Sequence, residues 1–240
     1  MSATAILTAS NLTMRFGGVV ANDNVDFVLG DRELRCIIGP NGAGKSTFFK
    51  MLTGQLTPTQ GSIELKGRSV AGHSSHEIAR LGVGIKNQVP SVFEGLTVRE
   101  NVWLAARRRF SGRQLQEKVE EQLELIRLGA YSSRVVGTLS HGQRQWVEIG
   151  TVLATNPDLV LLDEPAAGMT DEETIRTAEI ILDMNRTRAV VVVEHDMQFI
   201  KMIAKKVTVF HQGKVLVEDE FAKVVADQRV RDVYLGRTVV

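Results

Sequence analysis

At 240 residues, with 43% hydrophobic and 24% charged side chains, the chain can bury a full α/β core and has the balance of an ordinary globular protein. Its formal net charge of +1 excludes a bulk electrostatic case for nucleic acid or an anionic membrane surface as partner. The single cysteine, Cys36, excludes an intrachain disulfide and suits a reducing compartment.

Residues 1–7 lack a basic segment followed by an apolar stretch, so no secretion signal is expected. β structure is expected over residues 5–29: Val25, Phe27 and Leu29 alternate with Asp26 and Val28 at period two, and Gly17 and Gly18 mark a turn before them. The apolar run 34–38 leads straight into a glycine-rich loop. A helix over 45–52 is stopped by Gly54, with Pro58 beyond it. Residues 61–65 return to strand, and 76–81 read as a short helix ended by Gly82.

From about residue 90 to 155 the pattern turns helical. Val119, Leu123, Ile126 and Leu128 form one amphipathic segment, stopped by Gly129. Trp146, Val147, Ile149, Val152 and Leu153 lie in a second. Arg107, Arg108 and Arg109 read as a solvated helix end rather than a binding patch. From Leu159 strand and helix alternate again: strands at 159–162, 190–193, 207–210 and 215–217, helices at 171–185 and 197–204. Continuous runs such as 190–193 are those of buried parallel strands. They are also far shorter than the roughly 20 residues needed to span a bilayer, so any membrane part must come from another chain. The chain therefore reads as one domain, a core over 1–88 and 156–240 interrupted by a helical subdomain over 89–155.

The glycine-rich loop comprises Gly39, Pro40, Asn41, Gly42, Ala43, Gly44, Lys45, Ser46 and Thr47, of the form G-x-x-x-x-G-K-[ST] between a strand and a helix. A triphosphate needs donors around its oxygens, a cation, and close backbone approach. The glycines let the loop wrap the phosphates with N–H groups, and the following helix adds its positive N-terminal end. Lys45 is placed to reach the β- and γ-phosphates, Ser46 to ligate Mg²⁺, and Thr47 to donate to an earlier phosphate. Asp163 ends an apolar strand, where α/β sheets place ligand chemistry, and reads as an indirect Mg²⁺ holder. Glu164 is the candidate to polarise the attacking water. The ordinary alternatives are a chance glycine turn and a helix-capping acidic pair before Pro165. The two features in one chain favour nucleotide chemistry. His195, at the mouth of another strand, is a lone histidine that is structural or faces the γ-phosphate and the water.

Taken together these residues resemble the ATP-binding cassette (ABC) ATPases over nearly the whole chain. The resemblance implies a P-loop NTPase (RecA-like) α/β core with an N-terminal antiparallel β subdomain and an inserted helical subdomain. It implies ATP and Mg²⁺ as ligands. Leu139, Ser140, His141, Gly142 and Gln143 are similar to the family signature Leu-Ser-Gly-Gly-Gln, with His141 in place of a glycine. The family then implies that Ser140 and Gly142 contact the γ-phosphate held by a second cassette, at a helix beginning near Gln143. His141 is expected to be tolerated, pointing away from the phosphate. Gln88 matches the glutamine that senses Mg²⁺ and water between core and lobe. Phe16 matches the aromatic that stacks on adenine, with a plain core or surface aromatic as the alternative. His195 matches the switch histidine. In the segment 167–170, Thr170 stands where an aspartate is usual, which puts the details of cross-subunit communication in doubt.

Within the family, the stretches 139–150 (Leu-Ser-His-Gly-Gln-Arg-Gln-Trp-Val-Glu-Ile-Gly), 163–174 (Asp-Glu-Pro-Ala-Ala-Gly-Met-Thr-Asp-Glu-Glu-Thr) and 192–197 (Val-Val-Glu-His-Asp-Met) resemble the branched-chain amino acid importer ATPases. The Ser-His-Gly-Gln and Gly-Met-Thr-Asp-Glu-Glu-Thr wording is most similar to that of the urea-importer ATPases, and the ending 233–237 (Val-Tyr-Leu-Gly-Arg) is like that of the same subunits. The resemblance implies a second ABC ATPase, identical or paralogous, facing the first head to tail. It also implies transmembrane permease subunits, an extracytoplasmic solute-binding protein behind them, and no nucleic acid. The place of such a subunit is cytoplasmic, on the inner face of the membrane through the permease. A groove beside Gln88 and residues 89–96, with Val92 and Phe93, is expected to receive a permease helix or simply to pack the lobe. A lipid or lipopolysaccharide export ATPase, a non-transport ABC protein and a P-loop switch without dimerisation stay open as alternatives.

Overall fold

The computed structural model describes residues 5–87 and 91–234. It opens with a long hairpin, β1 (Ala5–Phe16) and β2 (Val19–Gly30), turned at Gly17 and Gly18. In β2 the side chains of Val25, Phe27 and Leu29 are buried while Asp26 and Val28 are exposed, the alternation of a sheet with one wet face. β3 (Leu34–Ile38) follows and leads through a tight loop into α1 (Lys45–Leu52). β4 (Gln60–Leu65), β5 (Arg68–Ser69) and α2 (Ser75–Arg80) precede β6 (Val83–Lys86).

Three helices come next: α3 (Val98–Ala106), α4 (Gly112–Leu125) and α5 (His141–Ala154). Then the chain runs through β7 (Leu159–Asp163), α6 (Asp171–Asn185), β8 (Ala189–Val193) and α7 (Met197–Ile203). It continues with β9 (Lys206–His211), β10 (Lys214–Glu220), α8 (Phe221–Ala226) and α9 (Gln228–Tyr234).

The strands form two sheets. The first is antiparallel, in the order β2-β1-β4-β5. The second runs β10-β9-β3-β8-β7-β6 and is parallel except for its β9–β10 hairpin edge. Strands buried on both faces need apolar residues at every position, and β3 and β8 have them, with Arg35 as the one charge. Leu34, Cys36, Ile38, Val190 and Val192 join the core that continues into α3–α7. Ile37, Ala189, Val191 and Val193 join a second core beneath α1 and the antiparallel sheet. Arg35 is neutralised where it lies, ion-paired with both Glu33 and Glu218 and donating to Thr208 Oγ1 at 3.0 Å.

Several elements escape the sequence pattern. β6 carries Gly84 and Lys86 in only four residues. It is a strand because it pairs in parallel with β7, and Gly84 leaves room for Val152 and Pro157. α8 and α9 each span less than two turns, too short for a helical period to stand out. The arginine run closes α3 as expected, but Arg109 is more than solvated: it donates to the Thr155 and Asn156 carbonyls just past α5, at 3.0 Å each. Among the described residues no helix is long and apolar enough to cross a membrane.

Candidate nucleotide site

The register of the parallel sheet sets the site. Ile37 of β3 and Asp163 of β7 both face Val193 of β8, so the loops after these three strands leave the sheet at one level. This is the carboxyl edge, where open α/β sheets bind ligands.

The loop after β3 is held open by packing that admits only glycine at two points. Gly39 has φ +147, and a Cβ there would lie 2.2 Å from the Phe210 carbonyl oxygen. Gly44 has φ +100, and its Cβ would lie 2.5 Å from the Ala21 carbonyl oxygen. The loop is braced from outside: Asn22 Nδ2 donates to Gly44 O at 3.3 Å, and Gly213 N donates to Ala43 O at 3.0 Å. α1 starts at Gly44 with no side-chain cap, whereas α2, α3, α5 and α6 each start with a capping box. The N–H groups at the start of α1 therefore lack a side-chain acceptor, as an anion-binding helix end requires. Lys45 lies within this cradle, largely buried, with Nζ donating to Gly39 O at 2.6 Å and Pro40 O at 3.0 Å. Burial lowers its ammonium pKa, while Glu164 and Asp163 oppose that shift.

At the end of β7, the Asp163 carboxyl is pushed up to about 6, first by burial and then by the adjacent Glu164. Glu164 adopts φ +46, and its N–H donates to Val193 O at 2.9 Å, which turns the chain sharply off the sheet. Its Oε1 stands 3.3 Å from His195 Nδ1, so the acid and the lone histidine meet. Gln88 lies outside the described residues. Just before it, buried Lys86 pairs with Glu148 of α5 at 3.6 Å, tying that edge of the core to the helical block.

Glu194 is a central residue that the sequence pattern does not single out. Its side chain is 2% exposed and accepts N–H bonds from Ala166 (3.3 Å), His195 (2.9 Å) and Asp196 (3.4 Å). One buried carboxylate thus fastens the loop after β7 to the loop after β8. Burial raises its pKa and the three N–H bonds resist that rise. A cleft of about 420 Å³ opens beside it, lined by Ala166, Gly168, Met169, Ile175, His195 and Met202 among others.

The segment Ser140–Gln143 is not brought to the phosphate cradle. It opens α5 and packs against α6 and the loop after β7. Ser140 caps α5, with Oγ accepting from Gln143 N at 3.2 Å and Ser140 N donating to Gln143 Oε1. The His141 ring lies toward the Ala167 carbonyl, with Nε2 at 3.2 Å, and Gly142 is buried. Thr170 caps α6 in a second box with Glu173. Phe16 stands at the β1–β2 tip, 47% exposed and paired with Val19, on the hairpin that supplies Ala21 and Asn22 to the cradle. Tyr234, at the end of α9, lies beside the Gly39 backbone, and desolvation pushes its phenol up to about 12. That contact joins residues too distant in sequence for any motif to reveal it.

A second groove, of about 540 Å³, runs between β6, α3 and α5, with Ile85, Phe93, Leu104, Arg108, Glu148 and Val152 on its walls. Phe93 is 63% exposed there, while Val92 packs on the core.

Known proteins resemble this chain in sequence and fold. A family model described as ABC transporter matches residues 22–167. The high-affinity branched-chain amino acid transport ATP-binding protein BraF of Pseudomonas aeruginosa is 35% identical, over 96% of this chain and 98% of its own. The lipopolysaccharide export system ATP-binding protein LptB of Haemophilus influenzae is 32% identical, over 97% of this chain and 98% of its own. The crystal structure of the ADP conformation of MJ1267, an ATP-binding cassette of an ABC transporter, superposes with a TM-score of 0.86 at 27% identity, covering 97% and 99% of the two chains. With a shared cassette fold and relatives matched end to end, the chain belongs to the ABC transporter family as an ATP-binding, ATP-hydrolysing subunit.

Proposed function

We propose that this subunit powers import of a small polar solute, urea or a branched-chain amino acid, as one of two cassettes facing each other head to tail. The observation that carries the two-cassette reading is the separation of its two halves. Lys45 is bonded within the loop after β3, while Ser140 is bonded only to α5 and α6. A second cassette supplies what one lacks: each ATP lies between the loop 39–47 of one and residues 140–143 of the other.

Within that sandwich each side chain has a role. Lys45 leaves the Gly39 and Pro40 carbonyls for the β- and γ-phosphates, and the loop N–H groups and Thr47 take the remaining oxygens. Phe16 stacks on adenine from the hairpin tip. Among the described residues no three histidine, cysteine or acidic side chains cluster as a metal site. Mg²⁺ takes few protein ligands beside its phosphates and waters. Ser46 and Asp163 would hold it, with Gln88 as the third candidate. Mg²⁺ would neutralise phosphate charge there, and Asp163, its carboxyl pushed up to about 6 by burial and by Glu164, is a carboxylate whose charge a cation would relieve. Glu164 orients and deprotonates the water for in-line attack, and His195, 3.3 Å from it, holds the water and the γ-phosphate in line.

The groove under Phe93 fits a short helix from a permease, which would keep the subunit at the cytoplasmic face of the membrane without a span of its own. The importer reading rests on the likeness to BraF. The narrower choice of urea rests on the wording of residues 139–150 and 163–174. The likeness to LptB supports export of lipopolysaccharide as the second reading. Reconstitution with candidate permeases separates them. Import predicts ATP hydrolysis stimulated by a solute-loaded binding protein, with urea tested against leucine. Stimulation only by a lipopolysaccharide-extracting permease would overturn it.

A further inference from the structure

Ser140 is already engaged within its own subunit. Its Oγ donates to Glu173 Oε1 of α6 at 2.6 Å while accepting from Gln143 N at 3.2 Å. A hydroxyl has one proton, so while it points at Glu173 it cannot point at a phosphate. We propose that Glu173 is an intrasubunit latch, which holds the Ser140 hydroxyl and sets a negative charge at the signature loop until the γ-phosphate of a second cassette displaces it. This inference rests on the shared-site reading of Ser140 and deepens it to the regulation of closure.

Three features make the contact a built one. Gly142 lacks the side chain that would block it: a Cβ there would lie 2.4 Å from Glu173 Cδ. The other carboxylate oxygen, Oε2, accepts from Thr170 N at 3.2 Å, so the carboxylate spans the start of α6 and the start of α5. The helices themselves are fixed to each other. Trp146 Nε1 donates to Thr177 Oγ1 at 2.8 Å, and Thr177 Oγ1 donates to the Glu173 carbonyl at 2.8 Å. Release therefore requires rotation of one side chain rather than movement of α6. The Ser140 hydroxyl, foremost, holds the Glu173 carboxyl below the usual carboxylate range, so it is charged at neutral pH. An incoming phosphate meets that charge at close range. His141, in contact with the Ala167 carbonyl, keeps the loop after β7 beside the same spot.

E173Q keeps the size and the capping oxygen but removes the charge. The test is ATP-driven dimerisation of the full-length chain in an E164Q background, followed by light scattering against ATP concentration, with single-chain affinity measured by a fluorescent nucleotide. Removing a like charge beside the phosphate is expected to lower the ATP concentration for half-closure about fivefold, with single-chain affinity and Tm little changed. A purely structural Glu173 would move Tm and leave closure alone. An unchanged or raised half-closure concentration in E173Q would overturn the latch. S140A, run alongside, separates this from the reading beneath it. If S140A loses closure while E173Q behaves as wild type, the latch fails alone. If S140A closes normally, the shared site fails.

Discussion

His195 Nδ1 stands 3.3 Å from Glu164 Oε1 and 3.6 Å from Glu194 Oε2, so one imidazole lies between a carboxylate at the sheet edge and one buried beneath it. The distances assign the two acids different work. Glu164 is partly exposed and free to reach a water, whereas Glu194 is consumed by three backbone N–H groups.

Replacing Glu164 with glutamine removes the proton acceptor without changing the shape of the site. E164Q is expected to bind Mg-ATP as wild type does and to lose turnover by roughly a hundredfold or more. Paired nucleotide-binding and phosphate-release assays check this. Loss of binding in step with turnover would show instead that Glu164 supports the loop.

Asp163 predicts a pH dependence with an inverted sign. Its carboxyl lies at about 6 in the folded chain against an ordinary 3.8, so the folded state holds the proton more tightly than the unfolded one. Stability without nucleotide should therefore fall as pH rises from about 4 to about 6 and stay lowered above that range. D163N removes the burdened charge. It should raise stability at neutral pH by about 1–2 kcal/mol, discounted for partial exposure, while weakening Mg-dependent ATP binding. Thermal melts across that range, with and without Mg-ATP, read both effects.

Deleting the Glu194 carboxylate leaves the N–H groups of Ala166, His195 and Asp196 without their acceptor. E194A is expected to cost about 2–3 kcal/mol and to lower turnover through displacement of His195. E194Q, which keeps one acceptor oxygen, should recover most of the stability. Denaturant unfolding alongside turnover distinguishes the two effects.

The buried Lys86–Glu148 pair joins β6 to α5 just before Gln88. Burial lowers the Lys86 pKa and raises that of Glu148, and each charge opposes the shift of the other. E148A strands the lysine and should cost about 3–5 kcal/mol, whereas the apolar double variant K86M/E148L should recover most of it. A double-mutant cycle by chemical denaturation measures the difference.

What the sequence made legible was local. The glycine-rich loop is contiguous, and its glycines, its lysine and the flanking strand and helix all lie within residues 34–52, so their arrangement reads directly from order. The long helices 45–52 and 171–185 carry their own period and stops. The bonds that assemble the site are not local. Glu194 reads as a spacer between Val193 and His195 until the loop after β7 folds onto it. Glu173 reads as one acid among three at the start of α6, and only the approach of α5 brings it to Ser140. His141 departs from the signature wording, and only the fold shows its ring meeting the Ala167 carbonyl, 26 residues away. β6 was hidden because its pairing with β7, rather than its own four residues, makes it a strand.

The central claim is that Ser140 acts on an ATP held by another cassette. S140A tests it most directly, with nucleotide affinity and steady-state hydrolysis measured on the same preparation. Because Ser140 does not touch the cradle of its own chain, affinity for ATP should stay within about twofold of wild type. Loss of one preorganised donor to the γ-phosphate should lower turnover by about a hundredfold. Wild-type turnover in S140A would contradict the account.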